Sequence, residues 1–427
     1  LARIAVSGLS HPAASPSRTV TLPLDRSMAW ATQPAAAALL VAAVTFNAAF
    51  AWVNAHLFAL TPSIVSAAQG AIVLSALAIG VLQPATLIAR WFIMAWLLLV
   101  TVALTSAVRG QFEPKILGDI LLLPAFILLG MRLDGPTLRR TVIGLQLLIL
   151  LLGMWELAQP VQFGAFFHVV DYYVNTRGYD ANAFWAGGDL FLSSERPGGR
   201  LLLAGSGLHR GSSLFLEPVS LGNWAVVAAL FTAAMWRSLS RPARAFMIGS
   251  TFILLAICDG RLALSVILLF CLWLPLCRWI PDRFSIAYLP LLLLALSTGG
   301  ALGLLDQTGD NFGGRLAVGV EALSSMDLDQ MLGISAERVR FDDAGWADFV
   351  QAQSLLVSVG LWLFLGLTSF GTGAQDRMAK HGIMLFLTLC MPISNSLLSI
   401  KTAALMWVIY GFCYARSRRI PGKEGAA

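Results

Sequence analysis

The stretch from Thr141 to Gln159 reads TVIGLQLLILLLGMWELAQ, nineteen residues with a single charge at Glu156. A helix needs about 20 apolar residues to cross the hydrocarbon core of a bilayer, and this run supplies them. Working outward, comparable runs recur over almost the whole chain, at 34–54, 63–82, 88–107, 116–131, 217–236, 243–258, 261–279, 285–305, 350–370, 382–398 and 400–415. With 141–159 they make twelve expected spans. The 427 residues are 57% hydrophobic and 12% charged, against roughly 25% charged in an ordinary soluble domain, and the mean hydropathy is +0.75. So little charge cannot cover the surface of a water-soluble enzyme, and it excludes a disordered regulator. The net charge of +6 invites a nucleic-acid reading, but no basic cluster of useful length lies outside the termini. The expected fold is an all-α polytopic membrane protein.

Counting Lys and Arg in alternate connections orients the spans. With the N-terminus in the cytoplasm, 18 of the 29 basic residues fall inside. Of the remaining 11, seven lie in two long outer loops, which cross the membrane largely regardless of charge. Both termini are therefore expected in the cytoplasm. Residues 1–33 form an expected disordered tail in which Met28 is a candidate start, 34–416 the membrane domain, and 417–427 a cytoplasmic tail. The first span is too long for a signal peptide.

The long loops cover about 160–216 and 306–349. They are aromatic rather than Ser/Pro-rich, with Phe163, Phe166, Phe167, Tyr172, Tyr173, Tyr179, Phe184 and Trp185 in the first and Trp346 and Phe349 in the second. Such rings fit a belt at the membrane surface or faces that stack on sugar rings. RGSSLFLEPVSLGN, Arg210–Asn223, is the most informative stretch. Glu217-Pro218 suits the first turn of a helix, but nothing in the capping of that helix asks for Arg210 beside His209. CDGR (258–261), GGR (313–315), DAGWAD (343–348) and SIKTAAL (399–405) follow, all at the outer side. Arg210, Arg261, Arg315 and Lys401 then sit near helix ends on one face. Charges at such depth are costly and mark function, and four cations suit a polyanion such as pyrophosphate, which Arg grips in a bidentate fork.

Other patterns carry less. The five cysteines, Cys258, Cys271, Cys277, Cys390 and Cys413, show no CxxC spacing and read as small buried hydrophobes. Asp327-Leu-Asp329 has the form of a metal and nucleotide-sugar motif but lies on the side where nucleotide sugars are absent. Gly205-Ser-Gly207 lacks the third glycine of a dinucleotide fingerprint. Asn47, Arg90, Asp119 and Glu156, one polar group per span, could line a pathway, but a single polar group per helix more often pairs with a neighbour or snorkels.

The ordered set RGSSLFLEPVSLGN, DGR, GGR, D-x-G-Trp and SIKTA resembles the bacterial O-antigen and exopolysaccharide polymerases (Wzy type) of the O-antigen ligase superfamily, the xanthan-type polymerases above all, over about residues 34–416. The resemblance implies a C-type-like glycosyltransferase membrane fold in the bacterial inner membrane, working at the periplasmic face. Its substrates would be oligosaccharide repeat units on undecaprenyl pyrophosphate, with a chain-length regulator and an export complex as further partners. Arg210, Arg261 and Arg315, with Lys401, would neutralise the leaving pyrophosphate, so no metal or other cofactor is expected. Asp343 is the first choice of base, with Glu217 and His209 behind it. The ligase branch carries a His in the second loop. This chain has none between His209 and His381, which favours polymerase over ligase. Rival readings are an O-antigen ligase-type glycosyltransferase, a lipid-linked oligosaccharide flippase or transporter, which should show repeat symmetry and helices broken near the midplane, and a non-catalytic scaffold of an envelope complex.

Overall fold

The computed structural model describes residues 24–180, 184–185, 189–195, 200–303, 312–335, 339 and 344–419. Five long helices come first: α1 (Leu24–His56), α2 (Pro62–Gly80), α3 (Ala85–Arg109), α4 (Pro114–Arg132) and α5 (Gly135–Ala158). Two short helices, α6 (Pro160–Phe167) and α7 (Val169–Arg177), lead to a two-residue antiparallel hairpin, β1 (Phe184–Trp185) with β2 (Leu190–Phe191). Then follow α8 (Pro218–Ala234), α9 (Arg241–Cys258), α10 (Arg261–Cys277), α11 (Tyr288–Ala301), α12 (Phe312–Ser324) and α13 (Leu328–Leu332). The chain closes with α14 (Gly345–Gln353), α15 (Leu355–Leu367), α16 (Ala374–Cys390) and α17 (Ile400–Arg419).

Starts and stops follow local chemistry. Thr61, Asp134 and Ser240 cap α2, α5 and α9, each ahead of a proline in the first turn, where its missing N–H costs nothing. Asp327 accepts from Gln330 in a capping box that opens α13, so this half of the DxD pair is occupied as a helix cap.

The bundle is layered. α4, α8 and α17 are buried around almost their whole circumference. α4 and α17 touch backbone to backbone: a Cβ on Gly130 would collide with the Val408 carbonyl, and one on Gly411 with the Ile127 carbonyl. Without a hydrophobic force between helices in lipid, such small-residue contacts supply the association. Peripheral helices turn large apolar side chains outward, including Ile93, Trp96 and Leu97 on α3, Leu272 on α10 and Leu294 on α11, all more than half exposed. In water that surface would be prohibitive; against hydrocarbon it is matched.

Among the described residues, seven helical segments are long and apolar enough to cross a membrane, an eighth if one bent pair counts as a span, and α8 and α10 are shorter apolar helices. The molecule is thus an all-α polytopic membrane protein. Two expectations change in detail. Helix α1 begins at Leu24, within the expected tail 1–33, and Arg132 at the end of α4 bonds to it further along: its Nε donates to Thr32 Oγ1 at 2.9 Å and its carbonyl accepts from Gln33 at 2.7 Å. The expected span at 350–370 is broken, since α14 and α15 meet at 113°. The break is at Ser354, whose φ of 90° no helix accommodates.

Candidate functional site

The 210–217 stretch is held from below by Glu156. This carboxylate, fully buried near the end of α5, accepts from Ser212 N at 2.7 Å, Ser212 Oγ at 2.8 Å and Ser213 N at 2.5 Å. Ser213 Oγ in turn donates to the Ile149 carbonyl at 2.6 Å. Ser213 and Leu216 have φ of 50° and 59°, which costs energy for residues other than glycine. Glu156 over-determines the turn that carries this strain. The span residue therefore pairs with a neighbour, as its isolation in an apolar run suggests, but the neighbour is the motif itself.

Arg210 is buried and turned towards the C-terminal end of α9. Its Nε donates to the Cys258 carbonyl at 2.8 Å and its Nη1 to the Ser193 carbonyl at 2.9 Å. Arg200 does the same on the two preceding carbonyls, those of Ala256 and Ile257, while its Nη1 reaches the His209 carbonyl at 2.5 Å. The last carbonyls of a helix lack intrahelical partners and carry partial negative charge, and two guanidinium groups satisfy them here. Asp259, at φ 47° just past α9, accepts from Leu202 N at 2.6 Å and Leu201 N at 3.1 Å. CDGR is thus the ledge on which the 200–210 segment hangs. A helix-capping role for Arg210 does exist, on a helix some 50 residues away.

Glu217 precedes α8 and pairs with Lys401 at 2.5 Å from the first turn of α17. Ser220 Oγ also donates to it at 2.9 Å. A second cation, Arg177 at the end of α7, acts on the same carboxylate and lies 5.1 Å from the centroid of the Tyr173 ring. Asn47 closes the floor, donating at 3.4 Å to both Tyr173 Oη and the Phe215 carbonyl. The result is one carboxylate between two cations at the junction of α1, α7, α8 and α17, where an added anion would meet surplus positive charge.

Arg261 opens α10 two residues after Asp259, and Arg315 lies exposed on α12. Their neighbours Leu262 and Leu316 belong to one apolar cluster with Leu296 and Ile393, so the CDGR and GGR segments adjoin. In DAGWAD, Trp346 N donates to the Met391 carbonyl at 2.9 Å, and Gly345 packs so closely that a Cβ would meet the Ser394 carbonyl at 2.5 Å. Asp343, the first choice of base, lies outside the described residues. His209 stacks on Trp185, ring centroids 5.1 Å apart and planes 23° apart. Burial, with the Arg200 charge next, pushes its imidazole down to about 4, so it is neutral at pH 7. Its Nε2 is 3.9 Å from Glu156, too far for a hydrogen bond.

Sequence reasoning missed Arg177 and Arg200. Both sit in the first long loop, and cations in such loops carry no topological signal. Cys258, Cys277, Cys390 and Cys413 are buried as expected, whereas Cys271 is exposed on the outer face of α10. No protein-family model, no characterised protein and no solved structure matches the chain.

Proposed function

We propose that this protein is a membrane glycosyltransferase that polymerises undecaprenyl-pyrophosphate-linked oligosaccharide repeat units at the periplasmic face of the bacterial inner membrane, on a twelve-span C-type-like scaffold with both termini cytoplasmic. What supports the reading most is the pairing of Glu217 with Lys401. It joins two of the motifs that resemble Wzy-type polymerases, although 184 positions separate them.

In this reading the acceptor hydroxyl oxygen attacks the anomeric carbon of the growing chain. The bond from that carbon to the pyrophosphate oxygen breaks, its electron pair leaves with the pyrophosphate, and the hydroxyl proton passes to a carboxylate base. Lys401, Arg177 and Arg261 would offset the charge gathering on the leaving group, in the manner of preorganised electrostatic stabilisation. Glu217, already balanced by two cations, is better suited to holding them than to taking a proton, which leaves Asp343 as the base. Arg210 would act by positioning, through its hold on the end of α9.

The test replaces Glu217 with Gln, or Lys401 with Ala, in the native host and analyses the lipid-linked saccharides. Loss of polymer with single repeat units persisting on the outer leaflet is the expected result. Normal polymer from both variants at ordinary protein levels would overturn the proposal, and accumulation confined to the cytoplasmic leaflet would make the chain a flippase.

A further inference from the structure

Beside the capped end of α9 lies a cleft of about 310 Å3, walled by Trp185, Ser194, Glu195, Arg200, Ser206 and His209 among others. That volume is at the lower edge of the roughly 300–1,000 Å3 of small-molecule sites. We infer that this cleft binds one saccharide unit by an uncharged, hydroxyl-bearing face, with the stacked Trp185–His209 pair as its aromatic platform. The inference rests on the proposed function for the source of the saccharide, but its chemistry comes from the cleft.

The choice of a neutral polyol over a phosphate follows from where the donors point. Arg200 would be the natural anion ligand, yet its Nε, Nη1 and Nη2 all donate to main-chain carbonyls, those of Leu202, Leu208, His209, Ala256 and Ile257. An arginine spent in this way builds a wall and offers no bidentate fork. Glu195 is exposed at the rim and would repel an anion while accepting from hydroxyl groups. Ser194 is 1% exposed, and among the described residues its hydroxyl has no hydrogen-bond partner. A buried hydroxyl left unpaired is costly, and a sugar hydroxyl would complete it.

The platform is rigid for identifiable reasons. Trp185 is paired in register with Leu190, which is buried. His209 is fixed through its carbonyl by Arg200, and the next residue's N–H donates to the Ser194 carbonyl at 2.9 Å. The rim turns at Gly205 and Gly207, with φ of 75° and 67°, conformations that glycine adopts without strain. Aromatic faces held this way bind the apolar face of a ring at little entropic cost.

The experiment uses the full chain in nanodiscs and oligosaccharides released by partial acid hydrolysis of the host's exopolysaccharide. Saturation-transfer NMR should show transfer from the protein to ring protons of the sugar. Trp185→Ala should weaken binding about tenfold, while Trp185→Phe keeps most of it, since aromatic stacking is worth about 0.5–1.5 kcal/mol. Ser194→Ala should cost a few-fold, and Trp279→Ala, on an exposed ring far along the chain, nothing. Unchanged binding by a folded Trp185→Ala protein, no transfer to wild type, or displacement of the sugar by inorganic pyrophosphate would each overturn the inference. If Trp185→Ala abolishes binding while Glu217→Gln leaves polymer normal in the host, the saccharide site stands and the proposed reaction falls.

Discussion

Lys401 Nζ lies 2.5 Å from Glu217 Oε2, so the first turn of α17 is locked to the residue that opens α8. Lys401 is 4% exposed and Glu217 22% by side chain. Removing one partner of a buried pair strands the other charge and costs about 3 kcal/mol or more. Lys401→Met should therefore lower the Tm of the detergent-solubilised protein markedly. Lys401→Met with Glu217→Gln should recover part of the loss, and strictly additive single effects would show that the pair is not coupled.

Glu156 organises a strained turn through three hydrogen bonds. Glu156→Leu removes every acceptor and strands the two backbone N–H groups, so it should cost about 2–3 kcal/mol or more. Ser212→Ala removes a single hydroxyl and should cost about 1 kcal/mol. Thermal unfolding of the two variants side by side checks the order, and a Leu variant as stable as wild type would remove Glu156 from this role.

Arg210 and Arg315 separate architecture from chemistry. Arg210→Ala exposes unmet carbonyls at Cys258 and Ser193 and should destabilise the protein by about 2 kcal/mol or more. Arg315 is exposed, and Arg315→Ala should stay within about 0.5 kcal/mol of wild type. Any loss of polymer in Arg315→Ala at full protein level then reports on substrate.

His209 brings a pH dependence. Its pKa falls from 6.5 to about 4 on folding, so between these values the unfolded chain binds more protons. Stability is then fully present above about pH 6.5 and declines as pH falls towards 4. Tm measured from pH 7 to pH 5 should drop in wild type, and the drop should shrink in His209→Gln.

The α4–α17 contact has no room for a side chain. Gly411→Ala should cost more than about 2 kcal/mol because the obstacle is the Ile127 main chain. Gly144→Ala on α5, where nothing lies within 4 Å, should gain a few tenths to 1 kcal/mol from reduced chain entropy. Thermal melts of both variants decide the matter.

Much of the architecture was legible in the chain because the signals are local. Apolar runs of helical length mark α2 to α5 and α9. The break at Ser354 was not legible. It depends on a backbone angle, and the run around it is as apolar as an unbroken span. Asn47 and Glu156 stand out as lone polar groups in apolar runs and are bonded in the fold, yet no spacing in the chain chooses pairing over a pathway role or names those partners.

The sequence by itself determined that this is an all-α polytopic membrane protein and which polar residues stand out against its apolar runs, since hydropathy is a property of each segment alone. Only the tertiary structure decided what those polar residues do. Arg210 and Arg200 close the end of α9, Glu156 holds the turn at Ser212 and Ser213, and Arg177 joins Lys401 around Glu217. The reason is physical: a buried charge takes whatever partner the packing brings within about 3 Å, and packing joins residues that lie 48 to 184 positions apart.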